Sequence, residues 1–178
     1  MANSLYSKGR EAFLEGTIAG LTDTIRLSLF TNTYSPNLST DQFYSTPLAA
    51  TSATAGPITL TSVTGSAGTL SAANVVFTSV SGSTSQYLIL YKDTGTTTTS
   101  PLIGLIDTAT GLPVTPNGGN ITVAWASGQV FTLFEGLAED EKDWRVWQRA
   151  KELLRHWRGR GWTKPGSLWI PEPAVVVG

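Results

Sequence analysis

Apolar and polar positions along this chain follow two different periods, and the change from one to the other divides the sequence. Over residues 25–30 the order Ile25, Arg26, Leu27, Ser28, Leu29, Phe30 repeats every two residues, which predicts a strand with two unlike faces. Residues 58–63, Ile-Thr-Leu-Thr-Ser-Val, alternate in the same way. Residues 86–92, Gln-Tyr-Leu-Ile-Leu-Tyr-Lys, are apolar almost throughout, as a central strand would be. Shorter runs at 74–77, 102–106, 121–125 and 129–133 read as further strands. The clusters Ser81-Gly82-Ser83, Asp93-Thr94-Gly95 and Asn117-Gly118-Gly119-Asn120 supply turns between them. About seven or eight short strands at this spacing predict an all-β domain, a jelly-roll-like β-sandwich.

Helical patterns flank the strands. Residues 4–16 offer Ser4 as a cap, apolar Leu5, Ala12 and Phe13, and Gly16 as a stop, predicting a short N-terminal helix. Residues 34–56 hold Pro36, Pro47 and many Ser, Thr and Ala residues without a steady period. They read as a long surface connection with room for an edge strand around Gln42, Phe43 and Tyr44.

From Glu135 the character changes. Eight of the twelve Lys and Arg residues and five of the six Trp residues lie between there and Gly178. Trp147, Ala150, Leu154 and Trp157 recur at helical spacing; acidic residues crowd the start of this run, and Arg155, Arg158 and Arg160 its end. That is an amphipathic helix with its charges arranged to suit the helix dipole. Beyond it, Trp162 and Trp169 sit in a Pro-bounded extended arm. The expected organisation is therefore a β-sandwich domain over residues 1–134, with its N-terminal helix, and a Trp- and Arg-rich helix and arm over 135–178.

Composition narrows the chemistry. At 178 residues there is room for one domain and an appendage. Charged residues make up 14% of the chain, against roughly 25% in ordinary soluble domains, so the surface is neutral and rich in hydroxyls. With no cysteine, disulfides and thiolate metal sites are excluded. Lys8 and Arg10 precede an apolar run that Glu15 and Gly16 cut short, so no signal peptide is read. No apolar run approaches the roughly 20 residues that span a bilayer.

Catalytic readings are weak. The single histidine, His156, lies between Arg155 and Trp157 in the charged helix, where a solvated or interface role outweighs a place in a triad. One histidine without cysteine makes a zinc site improbable. Asp93-Thr94-Gly95 and Asp107 to Gly111 could offer oxygens to calcium, but this is first of all turn chemistry. Asp23, Asp41, Asp93 and Asp107 are isolated turn residues, a poor start for a glycosidase pair. Gly65-Ser66-Ala67-Gly68 lacks the Lys-Ser/Thr of a phosphate loop and reads as a hairpin turn. In the C-terminal segment eight bases face seven acids, a net of about +1, too little for strong phosphate binding. The same acids argue against a membrane-surface helix. Trp and Arg dominate interface hot spots, so Trp144, Trp147, Arg155, Trp157, Arg158, Trp162 and Trp169 are the candidate partner-binding residues. Closing the domain's own core is the competing use for the same tryptophans.

Residues 4–18, the strand at 25–30, the stretch Leu88-Ile89-Leu90-Tyr91-Lys92-Asp93-Thr94-Gly95 and the loop from Leu105 to Asn120 together resemble a family of small structural proteins encoded among the virion genes of tailed bacteriophages and prophages. The resemblance covers roughly residues 1–133. It implies a capsid decoration (cement) protein on the outer capsid surface, made in the host cytoplasm, or alternatively a neck or tail component. It implies no catalytic residue to carry over; the partners expected with it are the major capsid protein and neighbouring copies in a homo-oligomer, and the residues themselves lead to no expected metal or cofactor. Similar proteins stop near residues 131–133, so the C-terminal segment is an extension. A carbohydrate- or receptor-binding module is the alternative from another class, on fold analogy alone.

Overall fold

The computed structural model describes residues 3–133, and the helix and arm expected over 135–178 lie outside the described residues. Within them the fold is mainly β. Strands β1 (Ser4–Leu5), β2 (Ile25–Thr31), β3 (Ala55–Thr59), β7 (Ser85–Lys92) and β8 (Leu102–Ile106) form one antiparallel sheet in the order β1-β8-β7-β2-β3. Strands β4 (Thr64–Ser66), β5 (Thr69–Ser71) and β10 (Gln129–Thr132) form a second sheet, and β6 (Val75–Phe77) pairs with β9 (Ile121–Val123). Helices α1 (Ser7–Leu14) and α2 (Ser45–Ala50) complete the set, with a 3₁₀ turn at Ala126–Gly128.

The large sheet is buried on both faces, which explains the unbroken apolar run in β7. Along β2 and β7, Ile25, Leu27, Leu29, Leu88 and Leu90 point one way, into a core shared with Leu70 of β5 and Val75 and Phe77 of β6. Phe30, Ile89 and Tyr91 point the other way, into a second cluster with Leu102 and Leu105 of β8. The β2–β7 register, from Ile25 opposite Lys92 to Phe30 opposite Tyr87, keeps like faces together, since a slip of one residue would exchange them. Each fully buried side chain of this kind contributes about 1.5–3 kcal/mol.

Helix α1 lies directly on β8. The expected cap, Ser4, belongs instead to β1, where it faces Leu105; Tyr6 precedes the helix in an extended conformation and gives its backbone N–H to the Ile103 carbonyl. Strand pairing satisfies the backbone there, so no side-chain cap is required. The expected stop is correct: Gly16 adopts a φ of 70°, while its N–H bonds to Phe13 and that of Thr17 to Ala12, the Schellman arrangement. The buried face of α1 consists of Gly9 and Ala12, and a methyl at Gly9 would collide with the Leu102 carbonyl oxygen.

Other boundaries moved. The strand expected at 58–63 pairs at Ala55–Thr59, because a bulge opposite Leu27 and Leu29 shifts its register. The edge strand expected near residue 43 is a single bridge, Phe43 to Pro101, followed by α2. The turn read at 65–68 joins β4 to β5, with Ala67 and Gly68 both at positive φ (49° and 77°), as a tight two-residue hairpin requires.

Gly9→Ala is expected to destabilise the protein by about 1–3 kcal/mol through overpacking. Gly104→Ala, whose new methyl would meet Leu5 at an ordinary 3.4 Å, should stay within about 1 kcal/mol of the parent. Urea unfolding of the two variants side by side measures the difference.

Candidate functional site

All five tyrosines of the chain belong to the second cluster. Tyr6, Tyr34, Tyr44 and Tyr91 are at most 3% exposed, and Tyr87 packs at the margin. A buried phenol needs a partner for its hydroxyl, and the chain provides them in sequence. Tyr34 donates to Asp41 Oδ2 at 2.6 Å. That uses its only proton, so the 3.0 Å contact between the Tyr6 and Tyr34 hydroxyls has Tyr6 as donor. Asp41 Oδ2 also accepts the Asn37 N–H at 2.9 Å, which ties the loop after β2 to the sheet. The Tyr44 hydroxyl lies 2.7 Å from Ser28 Oγ in β2, and its ring stacks on Tyr91 with centroids 3.8 Å apart. Phe30 meets Tyr44 edge-on at 6.0 Å. Burial pushes the Tyr6, Tyr34, Tyr44 and Tyr91 phenols above their ordinary pKa, most strongly at Tyr34, where the neighbouring Asp41 adds to it. These phenols are neutral fasteners.

The carboxylates are engaged in the same manner. Asp23 Oδ2 lies 2.9 Å from Lys92 Nζ and accepts the Ala19 N–H. Partial burial raises its pKa, but Lys92 and the Ala19 N–H outweigh it, so the group lies below the ordinary carboxylate range. Asp93 Oδ1 accepts the Gly95 N–H while Oδ2 sits 2.9 Å from Arg26 Nε. Asp107 Oδ1 accepts the Thr108 hydroxyl. Asp93 and Asp107, the residues weighed for calcium, thus hold turns, and among the described residues no three metal-capable side chains converge.

An open groove of about 340 Å³ runs between residues 54–58 and 77–81. Hydroxyls of Thr54, Thr78, Ser79 and Ser81 line it beside Pro57, Ile58 and Phe77. It holds no ionisable side chain, so proton transfer there would have no side chain to run on. Elsewhere among the described residues the surface exposes Leu14 (78%) on α1 and Leu21 (60%) against Gly65 of β4.

The residues expected to bind a partner, Trp144, Trp147, Arg155, Trp157, Arg158, Trp162 and Trp169, all lie outside the described residues. The remaining tryptophan, Trp125, packs against the main core and donates its indole N–H to the Ala73 carbonyl at 3.0 Å. The tyrosine cluster was missed in the sequence, because residues 6, 34, 44, 87 and 91 meet only through the fold. No protein-family model matches the chain, and no curated protein matches it in sequence.

Tyr34→Phe should cost about 1–3 kcal/mol, since it leaves Asp41 short of a donor in a half-buried setting; thermal melts measure this. The pH dependence has a definite sign. Burial favours the neutral phenol in the folded state, whereas the unfolded chain ionises near pH 10. The tyrosines' contribution is therefore complete below about pH 10 and is lost as pH rises from there through the folded-state values. Urea midpoints recorded from pH 8 to 11.5 should hold level and then fall.

Proposed function

We propose that the chain is a structural component of a tailed-phage virion, a capsid decoration (cement) protein whose β domain, a jelly-roll-like sandwich over residues 1–134, stands on the outer capsid surface. The C-terminal segment, 135–178, docks on the major capsid protein and on neighbouring copies, with Trp144, Trp147, Trp157, Trp162 and Trp169 as anchors and Arg155 and Arg158 orienting the contact. One observation carries the reading: the domain's buried tyrosines are engaged in holding its own structure. Buried phenols and carboxylates pin loops to the sheet, and the open groove carries no acid or base. Such a domain presents a fixed shape. The sequence resemblance to virion proteins supports the same conclusion.

The mechanism is thermodynamic. A protein that binds only the assembled lattice stabilises that state by mass action, and many weak contacts act together once subunits are linked. Hydroxyl-rich, nearly neutral loops such as residues 94–100 suit close packing of many copies, because they bring little like-charge repulsion.

Counting copies in purified particles tests the assignment. On the order of hundreds per particle is expected for a lattice protein, whereas about a dozen or fewer would move it to a neck or tail ring. Trp147→Ala combined with Trp157→Ala should leave the melting temperature of the β domain unchanged while weakening incorporation. Each buried tryptophan contributes about 2 kcal/mol or more, so a loss of at least about thirtyfold per residue is expected.

A further inference from the structure

Of the chain's six asparagines, Asn117 alone is followed by glycine. That order matters chemically, because a backbone nitrogen with no Cβ beside it can approach the side-chain amide of the residue before it. Attack of the Gly118 nitrogen on Asn117 Cγ forms a cyclic imide, a succinimide. The bond that forms is N–Cγ and the bond that breaks is Cγ–Nδ2, and Nδ2 leaves as ammonia with the proton that the Gly118 nitrogen gives up. Water then opens the ring at either carbonyl, leaving aspartate or isoaspartate. Asn117 is exposed, so water reaches it and no other reactant is required.

The folded turn acts on both reacting groups, in opposite directions. Gly119 donates its N–H to Asn117 Oδ1 at 2.9 Å, and a donor there stabilises the negative charge that gathers on that oxygen during attack. The nucleophile, by contrast, is held. Gly118, at a φ of 86°, gives its N–H to the Val80 carbonyl at 2.8 Å, and the nitrogen must lose that proton to react. Val80 is itself anchored in the main core. Two more bonds keep the arrangement shut: the Val80 N–H to the Gly119 carbonyl at 2.9 Å, and the Ser79 N–H to Asn120 Oδ1 at 3.1 Å. We infer that Asn117 is a self-modification site, whose conversion to aspartate or isoaspartate is gated by the pairing of residues 118–120 with residues 79–80. Hydrogen bonds of an exposed turn open locally far more often than a whole domain unfolds, so the chemistry proceeds at a rate set by that opening. Conversion puts a carboxylate in place of a neutral amide in a chain whose formal net charge is -1, and isoaspartate also adds a carbon to the backbone of the turn. None of this depends on the function proposed above.

Peptide mapping by mass spectrometry on the full chain, folded and in urea at the same pH and temperature, tests the gate. The unfolded chain should convert Asn117 at least about tenfold faster than the folded protein. Asn120→Ala removes one bond of the clamp without altering Asn117 or Gly118. It should raise both the conversion rate and the hydrogen exchange of the Gly118 amide by the same factor, about two- to tenfold. Its melting curve should stay near the parent's, because Asn120 is exposed. Asn117→Gln, whose longer side chain does not close the ring readily, should show no conversion at this position. Equal rates in the folded and unfolded chain would overturn the inference, as would an Asn117 that stays intact in urea. So would an Asn120→Ala variant that converts faster while its Gly118 amide exchanges at the parental rate, since the gate would then lie elsewhere.

Discussion

The pairing of β2 with β7, buried on both sides, is the constraint on which the rest of the domain depends. A sheet with one wet face could leave half its side chains in water. This one cannot, so each side needs its own cover, and the two covers differ in kind. On one side the smaller sheets bring Leu70, Val75 and Phe77 against Leu27 and Leu90. On the other, the long segment between β2 and β3 and the N-terminal turn bring phenols. Tyrosine suits that task because its ring is apolar and its hydroxyl can hold the backbone of an irregular segment in place. The polar positions in the sheet follow from the same demand: Ser28 is fully buried in β2 and faces the Tyr44 hydroxyl.

Sheet edges show the same economy. At one end β1 contributes only two residues before the chain turns into α1. At the other, β3 carries Pro57, which offers no N–H to an incoming strand. Short or proline-bearing edges discourage unplanned pairing between molecules. Close approach of α1 requires small residues, and Gly9 is the position where the helix meets the sheet backbone.

Much of this fold was legible in the residue pattern. Strand β8 begins and ends where the apolar run 102–106 does, and β7 was marked by an apolar stretch that only a doubly covered strand tolerates. Alternation misplaced β3, because period shows which residues share a face but not where a bulge will shift the pairing. Helix α2 was hidden by its length: six residues with Pro47 in the first turn give no helical period to read. The tyrosine cluster had no local signal at all. In α1 the packing of Gly9 and Ala12 on β8 leaves Leu14 exposed. The residues expected to bind a partner were read from composition and spacing alone, and they lie outside the described residues.

The ion pairs of the domain bear on the conditions in which it can function. Among the described residues Arg26 with Asp93 and Lys92 with Asp23 are short, partly shielded contacts. Dissolved salt weakens attractions between distant exposed charges far more than contacts of this sort. Screening by dissolved salt should therefore cost these two pairs little, and the ties they make between β2, β7 and the neighbouring turns should persist over a wide range of ionic strength.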